Sequence, residues 1–303
     1  MLSKLSAQLS IVFLATLWLV ASVLAFVPRH SGDYTGYIEF FSSIESRGLP
    51  RDLEVIVNAS RVLGIVRPEI GLIFLYLLAT LATYVLARKY ADNCFQMSVF
   101  ILSFSIAYLG LGYFWYLRQF IGMIVSFIFW DSIFKLVLMV GSIHINTAIV
   151  IAGLKLLSQY FRKILIGLGI IAPFCFLLDQ ADFIQSPLSL SGLSYGWYTS
   201  KFESNPINRI FYEYFIFIFI FIAQKFRVDG LSAALGSILF LEFLIADYAE
   251  ALNRVTFFYN GLAILSFLNL NKKQYISKMT FVIMCSLVAG HGTFRSLISW
   301  SVL

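Results

Sequence analysis

Long apolar runs, separated by short polar or charged interruptions, set the pattern of this chain. They cover Leu9–Val27, Ile70–Ala87, Phe95–Tyr113, Phe120–Trp130, Ile133–Ser158, Ile164–Leu178, Ile210–Gln224, Leu231–Asp247, Val255–Leu270 and Ile276–Gly290. Many approach the ~20 residues a helix needs to cross a hydrocarbon core of about 30 Å. The runs are continuous, whereas strands of a membrane barrel alternate apolar with polar residues. The pattern therefore predicts an all-α, polytopic integral membrane protein, with residues 1–303 forming a single transmembrane domain. About 10–11 membrane helices are expected, short broken ones among them.

Two extramembrane stretches stand out, at about 28–68 and 179–209. Within the first, Tyr37, Phe40, Phe41 and Ile44 recur at i, i+3, i+4 and i+7, with Glu39, Ser42, Ser43 and Glu45 opposite. That spacing predicts an amphipathic helix lying in the membrane interface. The first apolar run continues into Pro28-Arg29-His30 without a small-residue cleavage site, so it reads as a retained anchor. The Ile133–Ser158 run fits one long span or two short arms broken at Gly141-Ser142. Broken helices of that kind present polar groups to a buried cavity.

Charge placement decides between the two. With two arms, Lys4, Arg88, Lys89, Lys135, Arg162, Lys163, Lys225, Arg227, Lys272 and Lys273 all fall on the cytoplasmic side. A single crossing would put the last six outside, so the two-arm reading is preferred. The outer side then collects arginines, among them Arg67, Arg118, Arg209, Arg254 and Arg295, and almost no lysine. A guanidinium fork engages phosphate or carboxylate bidentately, so an arginine-rich outer face suits an anionic ligand. The net charge of +6 is segregated by side and does not form a nucleic-acid patch. A composition of 60% hydrophobic and 13% charged residues agrees with the membrane reading. Cys94, Cys175 and Cys285 lack pairing or metal-ligand spacing. No Asp-x-Asp, Gly-rich phosphate loop or His-Glu-x-x-His occurs, so no metal or nucleotide cofactor is expected.

Polar residues set among apolar ones are the candidates for chemistry. Asp33 follows the first run, with Tyr34 and Tyr37 nearby; a carboxylate there suits deprotonation of a hydroxyl, or N-caps the amphipathic helix. Arg67, Pro68 and Glu69 open the second run, where proline and an acid equally suit any helix N-terminus. Arg118 and Gln119 open the fourth, and His144 lies just past the proposed break; Arg118 also suits a snorkelling boundary residue and His144 a satisfied core imidazole. Asp247, Glu250 and Arg254 fall at i, i+3 and i+7 ahead of Tyr259 and Asn260, a ligand-binding face or an internal Glu250–Arg254 ion pair.

An arginine–glutamine pair opening a membrane helix, followed by a histidine after the next turn, resembles the EpsG/Wzy-type polysaccharide polymerases. Asp33 early in the first external stretch, Glu69 opening the second span and Arg254 starting a late one are similar to that group's pattern. The resemblance implies a GT-C-like architecture in the bacterial inner membrane, with the active site facing outward. It implies metal-independent joining of undecaprenyl-pyrophosphate-linked repeat units, with lipid-linked glycan as donor and acceptor and a chain-length regulator as a candidate partner. Arg118 and Arg254 would stabilise the leaving pyrophosphate and Gln119 would orient it. Asp33, Glu69 or His144 would be the base, with Tyr34, Tyr37, Arg67, Asp247, Glu250 and Tyr259 near the substrate. An O-antigen ligase and a flippase of the same glycolipid are the alternatives.

Overall fold

The computed structural model describes residues 2–26, 37–41, 54–65, 67–109, 116–179, 207–227, 229–244 and 249–301. Among them every regular element is an α-helix. In chain order these are α1 (Leu2–Leu24), a short helical turn at 37–41, α2 (Val55–Gly64), α3 (Pro68–Tyr90), α4 (Cys94–Ala107), α5 (Leu117–Ile128) and α6 (Ile133–Gly141). They continue with α7 (Ile145–Tyr160), α8 (Arg162–Asp179), α9 (Ile207–Ala223), α10 (Gly230–Leu244), α11 (Ala249–Lys272) and α12 (Lys278–Ser301).

Local chemistry explains several boundaries. Pro68 and Glu69 occupy the first turn of α3, and Arg88 and Lys89 its last, complementing the helix dipole at both ends. Asn93 caps α4 by accepting the Gln96 amide at 3.0 Å, while the Gln96 side chain accepts the Asp92 N–H at 2.9 Å. Among the described residues α3 is the one helix long and apolar enough to cross a membrane, its 23 residues spanning about 34 Å.

The chain divides into two compact units, Met1–Gly153 with Val282–Leu303, and Leu154–Phe281. In the first, α3 is the central helix, with α1, α2, α4 and α5 packed on it and α6 on α5. In the second, α10 lies against α8, α9 and α11. There a Cβ added to Gly169 would sit 2.7 Å from the Gly236 Cα, so the absence of side chains lets α8 and α10 touch backbone to backbone.

The break proposed within Ile133–Ser158 is present: α6 ends at Gly141 and α7 begins at Ile145. The 28–68 stretch differs from expectation. The turn at 37–41 is helical, but Tyr37, Phe40 and Phe41 are buried in the first unit and do not face outward as an interfacial helix would. Phe41 explains this: its side chain fills the space left by Gly64 and Gly71, where an added Cβ would come 2.9 Å from the Phe41 Cβ and 3.0 Å from its ring, respectively. Ile44 lies outside the described residues. The same stretch also holds α2, a helix that no regular apolar run announces.

Candidate functional site

The polar groups of the first unit converge on Arg118. It is the second residue of α5, where backbone N–H groups have no partner within the helix. The Tyr37 hydroxyl accepts the Arg118 N–H at 3.0 Å and so caps α5 from the 37–41 turn. The guanidinium lies over the Tyr37 ring, 5.6 Å from its centre. Arg118 Nη1 also donates to Glu54 Oε2 at 2.9 Å, an ion pair whose glutamate side chain is 5% exposed and whose arginine is 26% exposed. Burial on one side and exposure on the other leave the guanidinium reachable while its counter-charge is sealed in.

Glu54 stands directly before α2 and does not cap it. Its second oxygen, Oε1, accepts the N–H of Ile145, the first residue of α7, at 3.3 Å. Two residues after Glu54, the Ile56 N–H donates to the Ser142 carbonyl at 2.9 Å, pinning the start of α2 to the α6–α7 break. The N-termini of α2, α5 and α7 therefore meet around one carboxylate. Helix N-termini carry partial positive charge, so the carboxylate and the arginine lie in a field that favours anions.

His144 is the cap of α7. Its Nδ1 accepts the Thr147 N–H at 3.2 Å and lies 2.8 Å from Thr147 Oγ1. An N–H can only donate, so Nδ1 holds the lone pair and the neutral ring carries its proton on Nε2. His144 is thereby set as a donor at Nε2, and the base role expected of it does not follow from this geometry. Gly122, one turn after Arg118, keeps α5 close to this cap: a Cβ there would sit 3.2 Å from Thr147 Cγ2. Gln119 beside Arg118 is buried.

The height of the cluster along α3 follows from contacts at either end. Tyr90 donates to the Phe127 carbonyl at 2.9 Å and Lys89 to that of Ile128, so α3 and α5 end together. Ten residues back from Ile128, about 15 Å at 1.5 Å each, places Arg118 level with Ala79. From the other end, Ser60 lies against Gly71, and α2 runs back along α3. Six residues from Ser60 to Glu54, roughly 9 Å, reach the level of Leu77. Both counts put the ion pair near the middle of α3.

The remaining expected residues fall elsewhere. Glu69 and Arg67 lie at the start of α3, Glu69 as a half-buried first-turn acid and Arg67 exposed, away from the level of the cluster. Tyr259 is fully buried in the second unit and donates to the Glu213 carbonyl, a core placement. Glu250 and Arg254 share α11, with their side chains outside the described residues; Asp33, Tyr34 and Asp247 lie outside them altogether. Sequence reasoning missed Glu54 and Thr147. The legible sign of Glu54 is an acid immediately before Val55-Ile56-Val57, the mark of a helix start. Among the described residues no group of three His, Cys, Asp or Glu side chains is arranged to hold a metal ion. Comparisons with protein-family models, curated proteins and solved structures found no match to this chain.

Proposed function

We propose that this chain is a polytopic membrane glycosyltransferase that polymerises lipid-linked oligosaccharide repeat units on the outer face of the bacterial cytoplasmic membrane. The observation that carries the reading is the Arg118–Glu54 pair, its carboxylate buried and its guanidinium partly exposed, at the meeting of three helix N-termini, level with the middle of α3. If α3 spans the bilayer, an arginine at that height is too deep to snorkel, and ionisable groups at such depth serve a cavity or a partner.

The chemistry needs charge stabilisation where a diphosphate leaves, and a place for the proton of the attacking hydroxyl. The bond between the sugar anomeric carbon and the phosphate oxygen breaks as the acceptor oxygen bonds to that carbon. Arg118 and the N-termini of α5 and α7 supply positive charge to the departing diphosphate, and His144 Nε2–H adds a donor. Glu54, spent on Arg118 and Ile145, aims the guanidinium instead of taking the proton. Asp33 stays the proposed base on the strength of the polymerase resemblance; Glu69, ten residues or about 15 Å along α3 from the level of Arg118, lies too far from the departing diphosphate to share that step.

The test is the surface glycan ladder of a strain lacking this protein, complemented with wild type or Arg118→Ala. Glycolipid carrying a single repeat, restored to a ladder by wild type and not by Arg118→Ala, is the expected result. Full-length polymer stranded on its lipid carrier would make the protein a ligase, and units trapped on the cytoplasmic side a flippase. An unchanged ladder sinks the proposal.

A further inference from the structure

The second unit carries a charged end that the proposed reaction does not use. The α9–α10 connection holds Lys225, Phe226 and Arg227, and the α11–α12 connection holds Lys273 and continues to Lys278 and Met279. Arg227 Nη1 donates to the Tyr275 hydroxyl at 3.0 Å, joining the two connections, and Asn269 Nδ2, in the last turn of α11, donates to Asp229 Oδ2 at 3.3 Å. Asp229 is the one acid in either connection, and neutral donors occupy it. Gln224 Nε2 donates to it at 3.2 Å, and the Ser232 N–H and hydroxyl each at 2.8 Å. Among the described residues no ion pair joins Lys225, Arg227 or Lys273 to a carboxylate, and all three are exposed.

The backbone holds this arrangement where it is not the easiest one. Both α9 and α11 close with a bond from the sixth residue back to the first, Phe226 N–H to the Phe221 carbonyl at 3.1 Å and Tyr275 N–H to that of Leu270 at 2.9 Å. That closure requires left-handed residues, for which glycine is usual. Here Lys225 (φ 53°), Phe226 (φ 60°) and Gln274 (φ 57°) adopt it. A cation and an aromatic ring are thus kept at an exposed helix end, with Phe226 66% and Met279 69% exposed among the cations. Exposed cations interleaved with exposed apolar side chains are the composition of a surface that meets lipid headgroups and the acyl chains just beneath them.

We propose that this end of the second unit is a docking surface for the phosphate-bearing headgroups of anionic phospholipids, with Lys225, Arg227 and Lys273 as the charge contacts and Phe226 as the apolar one. The proposal rests on the membrane reading but not on the polymerase reading, and its test separates the two. Full-length protein is reconstituted in nanodiscs of phosphatidylcholine alone or with one-third phosphatidylglycerol, and retained lipid is counted by native mass spectrometry. Wild type is expected to retain phosphatidylglycerol selectively. Each of Lys225→Gln, Arg227→Gln and Lys273→Gln should lower that retention about fivefold. Equal retention of both lipids by wild type, or unchanged selectivity in the triple glutamine variant, overturns the proposal. So does a thermal stabilisation by inorganic phosphate in phosphatidylcholine discs that equals that given by phosphatidylglycerol, which would make this a site for free anions. Protein that never enters the discs refutes the membrane reading itself, and the glycan ladder reports independently on the reaction.

Discussion

Replacing either member of the Arg118–Glu54 pair should destabilise the first unit, and by unequal amounts. Arg118→Ala strands a carboxylate whose side chain is 5% exposed, with the Ile145 N–H as the bond that remains from this arrangement. Breaking a buried pair from that side costs about 3–5 kcal/mol. Glu54→Gln strands the other partner, which is 26% exposed and keeps water, while the amide oxygen still accepts the Ile145 N–H. The loss there is about 1–2 kcal/mol. Combining the two removes the uncompensated charge, so the double variant should be more stable than Arg118→Ala alone. In purified full-length protein, unfolding followed by intrinsic fluorescence should show a midpoint drop on the order of 10 °C for Arg118→Ala, at about 2–4 °C per kcal/mol for a unit of this size. The drop should be less than half of that for Glu54→Gln. Equal drops that add in the double variant would mean an ordinary solvated bridge, and the reasoning from burial would fail.

Other outcomes follow from named contacts. Gly71→Ala places a Cβ 2.7 Å from the Ser60 carbonyl oxygen, which cannot yield without moving α2, so a loss of about 1–3 kcal/mol is expected in the same unfolding assay. His144→Ala removes the α7 cap at a cost of about 1 kcal/mol. His144→Asn should return that stability while leaving the glycan ladder defective, because an Asn cap restores the acceptor but not the Nε2–H donor; a full ladder in His144→Asn would confine His144 to capping. Gly169→Val drives a side chain into Gly236 and should open α8 from α10, seen as faster limited proteolysis within 154–281 than in wild type.

Helices are legible in the sequence because hydropathy and helix-end chemistry are local. Glu69 and Arg88-Lys89 bracket α3 within a few residues of its observed ends, and Gly141-Ser142 marks the real break. Arg118 and Tyr37 stand out as polar or amphipathic residues in apolar company. Glu54 does not, because what makes it matter is a partner 64 residues away and another 91 residues away, and no spacing rule spans such distances. The 37–41 turn shows the converse. Its amphipathic spacing is plain, but an i, i+3, i+4 face does not reveal whether it meets lipid or protein; Gly64 and Gly71, by leaving room for Phe41, decide that. The capping role of His144 is hidden for another reason, since helix caps are sought among Ser, Thr, Asp and Asn.

The reach of Glu54 across the chain also bears on how the protein is made. A ribosome delivers this carboxylate 64 residues before Arg118 and 91 before the Ile145 amide. Buried alone at the middle of α3, it would be an unpaired charge in a medium that penalises one severely. On the membrane reading, the hairpin of α2 and α3 is therefore expected to close late in synthesis. On the same reading, its first half is expected to stay at the watery side until α5 and α7 have emerged and then to dock, with the ion pair as the latch. Biogenesis of this unit should accordingly be slow at one defined step, and a chain truncated before α5 should leave α2 open to added protease.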